Sequence, residues 1–240
     1  MIKYLFKYRV SNIRAMIRNG KAEPLECQED FNGRLVVITG ATSGIGYVTA
    51  REYASRGANL IVINRNKEKT LNLCEEIKRD FNVECDFRIA DFAHLSDVKK
   101  VGEELANSDL NIDVFIHNAG VYLDEKMISD DGLEMVLQVD HISSFILNYM
   151  LKDKLKAQKK CRIILVNSEG HRFSILGLKL DDLNWEKRKY SGLKSYGSAK
   201  TAQLLTMLKF DEYFQNSGVT INAMHPGNVK TNMGEEDSGF

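Results

Sequence analysis

Tyr196 and Lys200, four residues apart, and Ser168 upstream of them carry the side chains best suited to moving a proton. On a helix, residues i and i+4 share a face, so the lysine ammonium would lie one turn from the tyrosine hydroxyl. A free tyrosine ionises near about pH 10, too high for a base at neutral pH, and a nearby ammonium favours phenolate. A second set of residues could hold an anion. Gly40-Ala41-Thr42-Ser43-Gly44-Ile45-Gly46 follows the apolar run Leu35–Thr39 and precedes a helical pattern. Gly40 permits a tight turn, Gly44 lets backbone approach a pyrophosphate, and Gly46 allows close helix–strand packing. The unpaired N–H groups and positive dipole end of the following helix suit phosphate. Thr42, Ser43 and Ile45 line the same turn and join the candidate cofactor-binding residues.

The second apolar run ends in Asn64-Arg65-Asn66-Lys67. An acidic residue at this ribose-reading position would accept hydrogen bonds from an adenosine 2′-hydroxyl and repel a 2′-phosphate. Asn64 with Arg65 beside it does the reverse, since a guanidinium binds phosphate well. The expected cofactor is NADP, with NAD the weaker candidate. The alternative for Arg65 is a solvated charge at a helix start.

These residues need elements to position them. Leu35–Thr39, Leu60–Ile63, Asp86–Ile89, Val114–His117, Ile163–Val166 and Val219–Ala223 are short, apolar and largely β-branched or aromatic, which predicts buried strands. Helical patterns fall near 45–56, 67–80, 95–107, 133–158 and 194–216. Strands alternating with helices predict an α/β fold, a doubly wound parallel sheet built from right-handed βαβ units. The 240 residues suit one such domain, expected over 31–240.

Composition narrows the function classes. The 33 basic residues balance 33 acidic ones, so no global charge attracts a polyanion and nucleic acid is not an expected partner. No stretch of roughly 18 apolar residues predicts a membrane-spanning helix. Cys27, Cys74, Cys85 and Cys161 show no C-x-x-C pair or zinc spacing, and the five histidines are scattered singly. The expectation is reduced thiols, no metal, and a cytoplasmic location. Residues 1–30 differ: Lys3, Lys7, Arg9, Arg14, Arg18 and Lys21 precede the first acidic residue, interleaved with apolar residues that share a helical face. Such an extension suits peripheral contact with an anionic membrane, or packing on the domain with its basic face solvated.

The glycine turn, Asp91, Asn118-Ala119-Gly120, Ser168, Tyr196-Gly197-Ser198-Ala199-Lys200 and Pro226-Gly227 occur in the order found in the short-chain dehydrogenase/reductase superfamily. The resemblance covers about residues 33–232. Asn167-Ser168-Glu169-Gly170-His171-Arg172-Phe173 and His225-Pro226-Gly227-Asn228 resemble the retinol dehydrogenase and WW-domain oxidoreductase branch. It implies a Rossmann fold and an oxidoreductase interconverting an alcohol with a ketone or aldehyde. An apolar, retinoid-, steroid- or lipid-like small molecule is the implied substrate. Tyr196 would be the general acid/base, Lys200 would also hold the nicotinamide ribose, and Ser168 would orient the substrate oxygen. Asp91 would hold the adenine amino group, while Asn118, Ala119 and Gly120 would shape the cofactor-facing end of the fourth strand. Pro226, Gly227, Val229 and Thr231 would meet the nicotinamide end, with Thr231 alternatively a helix N-cap. A homodimer is a further expectation.

Two departures from the family pattern stand out. Val139-Asp140-His141 places Asp140 where the family has an asparagine that helps hold a water in the proton relay to the lysine. A carboxylate there could bind water or pair with Lys200, so Asp140 joins the candidate catalytic residues. The chain also stops fourteen residues after Pro226, where relatives usually continue through a substrate-covering segment, a helix and a seventh strand. These features motivate an alternative, an NADP-binding regulatory or scaffold protein with little turnover. Between Ser168 and Tyr196, 28 residues apart, the apolar Leu176, Leu178, Leu180, Leu183 and Trp185 could line a substrate pocket or pack as a surface excursion. His171 could face that pocket or support its loop.

Overall fold

A computed structural model of the chain describes residues 18, 27–174, 178–227 and 229. The expected N-terminal helix lies mostly outside the described residues, as does Thr231.

Six parallel strands form one sheet in the order β3-β2-β1-β4-β5-β6. They are β1 (Leu35–Thr39), β2 (Asn59–Asn64), β3 (Cys85–Ile89), β4 (Val114–His117), β5 (Cys161–Val166) and β6 (Val219–Met224). The central strands are buried on both faces, which is why they read as continuous apolar runs rather than alternating ones. Val36 and Ile38 of β1 pack with Ala50, Leu73 and Ile77 in one core, whereas Val37 packs with Val98, Leu105, Leu147 and Phe214 in the other. Helices α1 (Gly44–Ser55) and α2 (Lys67–Phe81) supply the first core. The second draws on α3 (Leu95–Asn107), α4 (Met135–Leu137), α5 (Ser143–Ala157) and α6 (Gly192–Phe214).

Local chemistry sets the helix ends. Asn66 caps α2 by accepting from the Lys69 N–H at 2.9 Å, Glu68 sits in the first turn, and Lys78 and Arg79 complement the last. Thr70, Leu73, Cys74 and Ile77 form its buried stripe.

The helical segment expected over 133–158 is interrupted. Gln138–Ile142 forms a π turn between α4 and α5. The Ser143 hydroxyl donates to the Gln138 carbonyl five residues back, at 3.0 Å, and the Gln138 amide donates to Phe92 O and Asp131. This widened turn carries Asp140 into the protein, as π bulges at functional sites do elsewhere.

In an all-parallel sheet the C-terminal strand ends share one edge. Gly40, Arg65, Asp91, Asn118, Ser168 and Pro226 therefore all follow strands on the same side of the sheet. The order reverses between β1 and β4, the crevice where open α/β sheets take ligands.

Candidate active site

Gly40 and Gly44 have φ of +70° and +54°, a region that glycine enters without steric cost. A Cβ on Gly46 would lie 2.1 Å from the Gly40 carbonyl oxygen, so the third glycine is required for α1 to close on the turn. Thr39 braces the other wall: its hydroxyl accepts from the N–H groups of both Asn118 and Ala119 at 3.0 Å. The Asn118 amide donates back to Thr39 O and Gly40 O at 3.2 and 2.8 Å. Helix α1 begins without a capping side chain, Ser43 making none, and without an acidic residue in its first turn. Its N–H groups and dipole thus remain suited to an anion, and the turn fits a dinucleotide pyrophosphate.

Asn64 lies at the buried end of β2, and its side-chain oxygen accepts from the Ala41 N–H at 2.6 Å. It braces the glycine turn, while Arg65 and Asn66 begin the exposed connection to α2. Asp91 turns one carboxylate oxygen to the Ala93 N–H at 2.9 Å, which fixes the loop after β3.

Helix α6 carries Tyr196 and Lys200 on one face, with the ammonium 5.4 Å from the tyrosine ring centroid. Lys200 is buried, donates to the Val166 carbonyl at 3.1 Å, and lies 3.2 Å from Oδ2 of Asp140. Asp140 is buried as well, and its Oδ1 accepts from the Val121 N–H at 2.7 Å. Burial pushes its carboxyl above the usual range, and Lys200 and the Val121 N–H oppose that push. An ammonium has three donors, so after Val166 and Asp140 one N–H remains for the site.

Ser168 follows β5 and caps a 3-10 turn, Glu169–Phe173, its hydroxyl accepting from the Gly170 N–H at 3.0 Å. A Cβ on Gly170 would meet the Tyr196 ring at 2.8 Å and the Ser168 hydroxyl at 3.2 Å. Gly170 is thus the residue that brings serine and tyrosine together, and sequence reasoning missed it. A second missed group is a buried amide chain. Asn167 donates to Lys200 O and to Gln203, and Gln203 donates to Asp140 O at 3.1 Å. It locks β5, α6 and the π turn in one arrangement; Gln203 lies at no motif position, and the residue type of Asn167, beside Ser168, does not report its buried partners.

His171 supports its loop: its ring nitrogen meets Ser168 O at 2.8 Å and its carbonyl accepts from Thr201. The long Ser168–Tyr196 connection is packed at Trp185, which stacks edge-on with Tyr190 and lies under Arg188. Tyr190 donates to the buried Glu134, and Leu178 packs on the same cluster of Val136, Leu137, Ala199 and Ala202 as Tyr196, whereas Leu180 and Leu183 are exposed. Gly227 has φ +86° and Val229 is exposed beyond β6. Among the described residues there is no cluster that could hold a metal, the four cysteines are free, and no helix is long and apolar enough to cross a membrane.

The chain matches the short chain dehydrogenase family over residues 34–178. Over 204 residues, 84% of the chain, it is 37% identical to retinol dehydrogenase 13 of Homo sapiens, covering 61% of that protein. It is 34% identical over 207 residues to the WW domain-containing oxidoreductase of Drosophila melanogaster, covering 50% of it. The chain therefore spans between half and two thirds of the length of these relatives. A solved structure from Beutenbergia cavernae, described as a candidate NAD(P)-dependent gluconate 5-dehydrogenase with NADP at low occupancy, superposes with TM-score 0.70 at 26% identity. That match covers 85% of this chain and 76% of the other. The chain belongs to the short-chain dehydrogenase family.

Proposed function

We propose that the protein is an NADP(H)-dependent oxidoreductase that interconverts an alcohol and a ketone or aldehyde on an apolar small molecule. The observation that carries this reading is the buried Lys200 beside Tyr196 on α6, with Ser168 brought to the same ring by Gly170. The retinol dehydrogenase relative and the NADP found in a solved structure of the family support the same class of reaction.

The bound nicotinamide would give or take the hydride. Tyr196 supplies the proton to the developing alkoxide in reduction, and as phenolate removes it in oxidation. Ser168 holds the substrate oxygen close to that hydroxyl, which converts an encounter into an oriented reaction. The remaining Lys200 N–H holds the ribose end of the cofactor, and Gly40, Gly44 and the start of α1 hold its pyrophosphate. Arg65 is the partner for a 2′-phosphate, since Asn64 is committed to the glycine turn.

Titration by nicotinamide fluorescence tests the cofactor assignment. The parent is expected to bind NADPH more tightly than NADH, and Arg65→Ala to lose about one order of magnitude for NADPH alone, equivalent to about 1.4 kcal/mol. A parent that prefers NADH contradicts the assignment.

The same proposal includes two surface contacts. Phe145 and Tyr149 of α5 and Leu205 and Leu208 of α6 are exposed on adjacent helices, an apolar face suited to a second copy of the chain. The basic residues at the N-terminus suit an anionic membrane. Analytical sedimentation with and without anionic vesicles reads both: a dimer that pellets with vesicles is expected. A monomer excludes the first contact, and protein left in the supernatant excludes the second.

A further inference from the structure

Asp140 sits where the Lys200 charge should act. Both side chains are buried, at 0% and 3% exposure, and their nearest N and O atoms are 3.2 Å apart. Asp140 cannot swing away cheaply. Its second oxygen is held by the Val121 N–H, its backbone carbonyl by Gln203, and its Cα by the π turn. Gly120 lies against the same carboxylate, where a Cβ would come within 3.2 Å. A buried charge 3.2 Å from an opposite one is screened little by solvent, so the pair acts on its surroundings as a near-neutral dipole.

We propose that Asp140 is a positioning residue that neutralises Lys200, so that Tyr196 stays a phenol, the proton-donating form, through neutral pH. This rests on the oxidoreductase reading above. An unpaired ammonium beside Tyr196 would favour phenolate; an ammonium already paired with a carboxylate does so far less.

Several titratable groups pack around the pair. Glu134, at the start of α4, is buried and bound by the Leu137 N–H and the Tyr190 hydroxyl, and burial holds its carboxyl above the usual range. The π turn contributes Asp140 and His141, whose ring burial holds neutral, pushed down to about 4. The segment after β4 contributes the Val121 N–H and Tyr122, edge-on to Tyr196 at 5.9 Å. Strand β5 contributes the Val166 carbonyl, and α6 contributes Tyr196 and Lys200 themselves. The 3-10 turn contributes His171, bound to Ser168 O, and Glu169, already paired with Arg172.

In reduction, hydride from the reduced nicotinamide adds to the carbonyl carbon and the π pair moves to oxygen. That oxygen takes the Tyr196 proton and leaves a phenolate, which solvent reprotonates. Oxidation runs the same steps backwards and needs the phenolate first. Both directions share one equilibrium at a given pH. What Asp140 sets is the pH range over which the tyrosine carries its proton.

The test compares the parent with Asp140→Asn, which keeps an acceptor for the Val121 N–H and removes the charge. The first readout needs neither substrate nor cofactor: ultraviolet phenolate absorbance against pH, with Tyr196→Phe in each background to isolate the Tyr196 signal. That signal is expected to appear at least about one pH unit lower in Asp140→Asn. The second readout is kcat for alcohol oxidation against pH, whose rising limb should move down by the same amount. Coincident phenolate curves overturn the proposal, even where turnover is present. Absence of turnover in the parent overturns the oxidoreductase reading instead, and the phenolate curves still decide the role of Asp140. Should Asp140→Asn not fold, Asp140→Ser gives the same comparison. Should neither fold, the parent decides: a Tyr196 signal about two units or more below the pH near 10 of free tyrosine overturns the proposal.

Discussion

Two buried imidazoles tie the stability of this protein to pH. His117, the last residue of β4, is buried and bonded to Asn148 at 2.8 Å, and His141 sits on the π turn without a partner at Nδ1 among the described residues. Burial pushes each ring down to about 4 from 6.5. Above pH 6.5 both are neutral in the folded and unfolded chain. As pH falls from there toward 4, the unfolded chain takes up protons that the folded one refuses, and stability drops by about 1.4 kcal/mol per unit for each group. Asp140 and Glu134, whose carboxyls burial raises, act in the opposite sense, so a difference measurement is needed. Thermal melts of the parent and His141→Gln should diverge between pH 6.5 and 4.5, the parent falling faster; parallel curves contradict this. At the same scale, the glycine turn, Ser168, Tyr196 and Lys200 were legible because backbone freedom and i,i+4 spacing are written in residue types. Asn64 was legible as a position but not in its orientation: which way an amide faces depends on the Ala41 N–H, 23 residues distant. Gly170 was invisible for a related reason, since its requirement comes from a tyrosine ring on another element.

Among the elements, strands and helices were readable wherever one rule dominated. Continuous apolar runs marked β1 and β4, and the helical pattern expected near 67–80 became α2. The interruption at Gln138–Ile142 escaped, because apolar spacing reports which face is buried and not which carbonyl each N–H selects. It is set by the Ser143 hydroxyl and by Gln138 reaching Phe92 and Asp131, contacts with no periodic signature. The connection between Ser168 and Tyr196 left two readings open, a substrate-pocket lining and a packed surface excursion. Trp185 and Arg188 pack down as a surface excursion, whereas Leu178 reaches the cluster beside Tyr196.

The whole molecule explains why distant residues share one site. Alternation of strand and helix forces parallel strands, and parallel strands deliver all their C-terminal ends to one edge. Six connections spread over the chain thereby converge on the crevice between β1 and β4. On the proposed reading, this crevice carries out NADPH-linked proton and hydride transfer through Tyr196. The most direct measurement is NADPH consumption with a panel of apolar ketones and aldehydes, for the parent and for Tyr196→Phe. Turnover by the parent, reduced about 10²- to 10⁴-fold in the variant while NADPH affinity is retained, is the expected result. Equal rates in the two proteins, or no turnover by a parent that binds NADPH, would contradict it.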